Sequence, residues 1–192
     1  MKFAEAKYTL VHFSRRRQRF TSRAPVTLPL ATIHPSPSVR VLGVEVDSRL
    51  RWTAHVDKLR QRLVTQMYAL TRATASTWGA TLIKARQLYI AIIRSAIGYA
   101  SPIWFTTSKK LGKRGQTARK LATEQNRALR TVTGAYRATR IRQLETEAYV
   151  PPIDIWLEAQ TAYFHRRLER TGMAKLILSL SAPIRRRVMA RR

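Results

Sequence analysis

Apolar and polar positions alternate along the first fifty residues and then change period. Tyr8-Thr9-Leu10-Val11-His12-Phe13 alternates and is rich in strand formers, and Ser14 to Arg23 follows as a basic loop. Val26 to Leu30 predicts a short strand that Pro25 and Pro29 confine to a sheet edge, and His34 to Ser38 predicts a turn. Val39 to Val46 reads as a strand, with Val39, Val41, Gly43 and Glu45 on one face and Arg40, Leu42, Val44 and Val46 on the other. Beyond Asp47, Val56, Leu59, Leu63, Met67, Leu70 and Thr74 fall at helical spacing, with Thr53 or Ser48 as cap and Trp78-Gly79 as the end. A second helix carries Ala85, Leu88, Tyr89, Ile92, Ile93, Ala96 and Tyr99, a stripe wide enough for burial on more than one side, and Pro102 kinks or stops it. After the basic Lys109 to Gly115 loop, a third helix with Leu121, Gln125, Leu129 and Val132 stops at Gly134. A short helix holds Ile141, Leu144 and Ala148, and Pro151-Pro152 starts a last one running through Trp156 and Phe164 to about Arg170. The fold class expected is α+β, mostly α: a small N-terminal antiparallel β element followed by a helical bundle.

Composition narrows the picture. A length of 192 residues suits one domain, and a hydrophobic fraction of 45% supports a core. The absence of cysteine excludes a disulfide scaffold, a thiolate zinc site and a cysteine nucleophile. His12, His34, His55 and His165 lie far apart and show no metal-ligand spacing. The longest charge-free run, Ala24 to Val39, holds four prolines and is too short to span a bilayer. Glu5 and Lys7 interrupt any signal-peptide core, so secretion is not expected. The basic, Ser/Thr-containing start imitates a transit peptide, but it alternates like a strand.

Charge changes the picture most. The formal net charge is +27, with 28 Arg against 9 Lys, a skew that suits planar, bidentate phosphate contacts. From Lys58 to Thr123 there is no acidic residue among 66 positions, while thirteen are basic. A solvated helix face ordinarily mixes signs, so the self-repulsion of this stretch must be relieved from outside it. Nucleic acid supplies that relief through counterion release. The competing readings are a basic surface without a partner and an anionic membrane, the latter disfavoured because the cations do not stand opposite a clean apolar face.

Candidate chemistry is sparse. Magnesium-assisted phosphoryl transfer needs clustered carboxylates. Glu45 and Asp47 could share a strand face, although Asp47 reads first as opening the turn or helix that follows; Glu145 and Glu147 lie about 200° apart on a helix and cannot share a site. Gly112-Lys113-Arg114-Gly115 lacks the spacing of a phosphate loop, and no Ser/His/acid set emerges. No catalytic or metal centre is expected within these residues.

Four blocks nevertheless carry a resemblance. Val41-Leu42-Gly43-Val44, Asp47, Leu50, Trp52 and His55 form L-G-V-x-x-D-x-x-L-x-W-x-x-H. Ser76-Thr77-Trp78-Gly79 leads to Arg86, Leu88, Tyr89 and Ala91, then to Tyr99, Ile103 and Trp104. Gln125-Asn126-Arg127-Ala128-Leu129-Arg130 precedes Thr133-Gly134-Ala135-Tyr136-Arg137, and Glu147, Pro151-Pro152 and Leu157 follow. In order and spacing these blocks resemble the reverse transcriptases of LINE-type, non-LTR retrotransposons over roughly residues 3 to 170.

The resemblance implies the end of a palm and a thumb: a β-rich palm remnant with a primer-grip-like hairpin over 1–52, thumb helices over 53–108, a helical connection over 109–182 and a basic tail over 183–192. It implies template-primer contacts at Leu42 and Gly43, and the acid-free helices offer Lys58, Arg60, Arg62 and Arg72 for phosphates of RNA, DNA or a hybrid duplex. Trp52, Trp78, Tyr89 and Trp104 have faces that stack on bases, but they belong to apolar stripes and read first as core. His55 is expected to cap or pack locally. The family polymerises DNA on RNA with magnesium, yet its Y/F-x-D-D turn does not occur here. The chain therefore reads as a C-terminal piece of a reverse transcriptase, inactive alone, with no cofactor of its own and with the palm and fingers of a parent polyprotein as partner. Such a piece is expected in nucleus or cytoplasm. The alternative is a stand-alone basic RNA-binding or protein-interaction protein without polymerase ancestry.

Overall fold

The computed structural model describes residues 8–13, 24–28, 32–74, 79–105, 115–176 and 179. These are mostly helical, with two small antiparallel sheets near the N-terminus. Two compact units are present, residues 1–68 and 69–192.

In the first unit, β1 (Val26–Thr27) pairs with β2 (Thr32–Ile33), and β3 (Ser38–Val41) pairs with β4 (Val44–Asp47). The run Val39 to Val46 is thus a hairpin and not one strand. Leu42 and Gly43 form its two-residue turn with φ of 47° and 85°, the left-handed pair that matches the twist of antiparallel strands. Alternation misses the reversal because valines flank it on both sides; Gly43 was the available signal. The Tyr8–Phe13 segment makes one parallel bridge, Leu10 to Pro35, and is no strand. Helix α1 (Thr53–Ala73) follows, with Val56, Leu59 and Leu63 buried on one stripe; its last residues, from Ala69 and including the buried Leu70, belong to the second unit. It stops at Ala73, ahead of the expected Trp78-Gly79, and Trp78 lies outside the described residues.

The second unit is a bundle. Helix α2 (Leu82–Leu88) runs into a π-helical segment, Tyr89–Arg94, and then into α3 (Ser95–Gly98). Pro102 does not stop this rod. Ala100 does, at φ 52°, and Pro102 sits in the first turn of α4 (Ser101–Trp104), where its missing N–H is not needed. Helix α5 (Gln116–Thr133) ends as expected at Gly134, φ 65°, and α6 (Ile141–Glu147) and α7 (Ile153–Arg170) match their apolar spacing. Helix α5 packs on α2, α6 and α7, and α4 packs on α7. The core holds Ile93, Ile97, Trp104, Leu121, Leu129, Leu144, Ile153 and Leu157. No helix among the described residues is long and apolar enough to cross a membrane.

Candidate nucleic-acid interface

The L-G-V-x-x-D-x-x-L-x-W-x-x-H block folds as one unit that joins hairpin to helix. Leu42 stands at the hairpin tip, 87% exposed, while Val44 is buried two residues on. Asp47 ends β4, and its carboxylate accepts the N–H of Arg51 at 3.0 Å and of Trp52 at 2.9 Å. Burial pushes the Asp47 carboxyl up, but the N–H groups of Arg51, Trp52, Asp47 itself and Arg49 more than offset it and hold it below the ordinary value. Those bonds anchor a turn in which Leu50 and Trp52 both take positive φ, 51° and 62°. Such φ is uncommon for residues with a Cβ and persists because the surroundings fix it. Trp52 then passes its carbonyl to the N–H of Val56, the first bond of α1.

His55, one turn into α1, is buried and accepts the backbone N–H of Glu45 at its Nδ1, 3.4 Å away. Glu45 is itself buried, and Lys58 Nζ pairs with it at 2.5 Å. Burial lowers the His55 pKa below 6.5, against the opposing pull of Glu45. A ring that must stay neutral to accept that bond binds fewer protons folded than unfolded. Its contribution is therefore full above pH 6.5 and is lost as pH falls toward the folded pKa. The unfolding midpoint should drop on acidification from pH 7 to 5, and His55→Gln should flatten the curve in that window; an unchanged slope in the variant would exclude His55 as the source.

The six expected contact residues separate into different roles. Leu42 and Gly43 form the tip of the hairpin. Lys58 lies on α1 but is engaged by Glu45, so its charge is partly neutralised within the molecule. Arg60 is half-buried, whereas Arg62 and Arg72 are exposed. Trp52 is half-buried, Tyr89 and Trp104 are fully core, and Tyr99, expected on the buried stripe, is 54% exposed.

Two further cations of the acid-free stretch are structural. Arg86 donates from Nε to the Ala148 carbonyl at 2.6 Å and from a terminal nitrogen to the Tyr149 carbonyl at 3.1 Å. Arg94, buried, donates to the Pro151 carbonyl at 3.3 Å, and its guanidinium carbon lies 4.5 Å from the ring centre of Trp156. Gln125 completes the clasp: Tyr89 Oη donates to its Oε1 at 3.0 Å, and its Nε2 donates to Pro151 at 3.2 Å. Burial raises the Tyr89 hydroxyl pKa, opposed by Arg94, so the donor stays protonated. Carbonyls of the α6–α7 connection thus serve as counter-groups for two cations of a stretch that holds no acid of its own.

The π segment makes this possible. Five residues apart on an α-helix are about 140° apart, which would point Tyr89 and Arg94 away from each other. The wider i→i+5 winding closes that angle and turns both toward Gln125 and Pro151. Nothing in the apolar spacing marks it in advance. Among the described residues, no three His, Asp or Glu side chains gather as a metal site would require.

The first of the resembling blocks therefore supplies a hairpin–helix joint, and the other three contribute Arg86 and Tyr89, Gln125, and Pro151 to a buried polar clasp. Comparison with known proteins gives their origin. The chain is 25% identical over 118 residues to a 115 kDa protein of the type-1 retrotransposable element R1DM of Drosophila melanogaster. It is 30% identical over 130 residues to a retrovirus-related Pol polyprotein of the type-1 retrotransposable element R1 4 of Nasonia vitripennis. Both relatives are retrotransposon proteins. The similarity supports a non-LTR retrotransposon origin for this chain. The matches cover 62% and 68% of it but only 11% and 32% of the relatives' lengths. No family model matches the chain, and no solved structure matches it.

Proposed function

We propose that this retrotransposon-derived chain is the palm end and thumb of a reverse transcriptase and that it holds template-primer nucleic acid. In this reading the polymerase carboxylates and their magnesium belong to another part of the polyprotein. The observation that carries it is the hairpin–helix joint. A leucine is displayed at the tip of a hairpin whose second strand is tied to the start of α1 by Asp47 and His55, and that helix shows Arg62 and Arg72 to solvent in a stretch without acids. Exposed arginines on a rigid helix suit the phosphates of a duplex and carry no sequence information.

The test is binding to an RNA–DNA hybrid at rising salt. Wild-type affinity should fall steeply with salt and vary little with sequence. Arg62→Glu with Arg72→Glu should weaken binding by about tenfold or more and lower the salt slope by roughly two phosphates' worth. Lys58→Gln should have a smaller effect on binding, because Glu45 already neutralises Lys58. Unchanged affinity and slope in the double variant, with folding retained, would overturn the proposal.

A further inference from the structure

A second basic surface feature lies on the connection between α5 and α6. Its backbone is tied down at both ends. Ala135 N–H returns to the Arg130 carbonyl at 3.1 Å, Thr139 N–H bonds the Tyr136 carbonyl at 3.0 Å, and Gln143 N–H bonds the Arg140 carbonyl at 3.1 Å. Held in that turn, Tyr136 is 86% exposed. Arg137, Arg140 and Arg142, close to it in sequence, are exposed, and the nearest acids that follow are Glu145 and Glu147 on α6. Next to them, Thr139, Arg142, Gln143, Thr146 and Glu147 line an open groove.

Two properties coincide there. An aromatic ring displayed on a fixed turn buries almost nothing of its own molecule, so the core does not account for it. The arginines beside it select a polyanion, and the ring selects a partner with a free flat face. In a duplex the base faces are already stacked on one another; in a single strand they are available to a ring. An acidic peptide would engage the cations and leave the ring idle.

We propose that the α5–α6 connection binds single-stranded RNA or DNA, with Tyr136 stacking on an unpaired base and Arg137, Arg140 and Arg142 contacting the flanking phosphates. This deepens the nucleic-acid reading above, but it rests on different residues, so either can fail alone. The experiment titrates the full chain into a labelled ten-nucleotide oligouridylate and, separately, into a blunt hybrid duplex, with fluorescence anisotropy as readout and circular dichroism as the folding check. Tyr136→Ala should weaken oligouridylate binding by about tenfold, within the range for one stacked base, while duplex affinity changes less than about twofold. Tyr136→Trp should retain binding. Arg137→Gln, Arg140→Gln and Arg142→Gln together should weaken it further and flatten its salt dependence. Arg62→Glu with Arg72→Glu should weaken the duplex arm by more than the oligouridylate arm. Three results would each overturn the proposal: unchanged single-strand affinity in Tyr136→Ala, an equal loss on duplex, or polyglutamate competing as well as unlabelled oligouridylate.

Discussion

Arg94→Ala should destabilise the helical unit by about 3 kcal/mol, a large share of the 5–15 kcal/mol typical of a whole protein. Three contributions point that way. The substitution removes a charge-assisted bond to the Pro151 carbonyl, of order 1.5–3 kcal/mol. It removes the guanidinium from the face of Trp156, about 0.5–2 kcal/mol. It also leaves a cavity in a close-packed region. Opposing these is the relief of a desolvated cation, whose pKa burial has already pushed down. Arg94→Lys should recover less than half of the loss, because an ammonium cannot lie flat on an indole while reaching the carbonyl. Urea unfolding of the three proteins checks this; a full recovery with lysine would mean that charge alone, and not the planar fork, holds the connection.

The apolar period made the long helices legible. The stripes of α1, α5 and α7, the stop at Gly134 and the start of α7 at Pro151-Pro152 follow from spacing and from the two residues that least tolerate helix interiors. Two kinds of feature were not legible. Alternation ran straight through the reversal at Leu42-Gly43 because valines flank it on both sides and only Gly43 marks a turn; the hairpin was implied by the resemblance and not by the period. The π segment was hidden because winding leaves no mark on composition. Of the six candidate contacts, the sequence could identify the cations but not their neighbours. Glu45 lies thirteen residues before Lys58 and pairs with it only because β4 and the start of α1 are joined by the Asp47 turn.

The acid-free stretch looks different once its partners are known. Its charge points to an external polyanion for the set, with Lys58, Arg60, Arg62 and Arg72 as the candidate contacts. Lys58 answers to Glu45, Arg86 to the carbonyls of Ala148 and Tyr149, and Arg94 to that of Pro151 and to the Trp156 ring. Carbonyl oxygens carry partial negative charge and are fixed by the fold, so they serve a buried arginine without adding a titratable acid. Among the described residues of that stretch, Arg62, Arg72, Lys84 and Arg119 stand exposed for an external partner, and beyond it Arg137, Arg140 and Arg142 are exposed near Tyr136 in sequence.

Gly98→Leu should destabilise the helical unit by about 3 kcal/mol or more, at the upper end of what overpacking does. Gly98 closes α3 in an ordinary helical conformation, so its role is space and not backbone freedom. A Cβ built there would lie 2.6 Å from Cη2 of Trp156. That indole is not free to retreat, since Arg94 sits against its ring and the first turns of α7 hold its backbone between the buried Ile153 and Leu157. Gly98→Ala tests the same contact more gently. Alanine gains roughly 1 kcal/mol of helix propensity over glycine, which opposes a clash of about 1–3 kcal/mol, so a net loss isolates the clash. Trp156→Phe removes the atom that is struck. Combined with Gly98→Ala it should recover stability relative to the sum of the two single changes, and that coupling is what a double-mutant cycle measures. Strict additivity would mean that α3 and α7 do not meet at this point, and the close approach of glycine and tryptophan would have to be abandoned along with the support it gives to the Arg94 clasp.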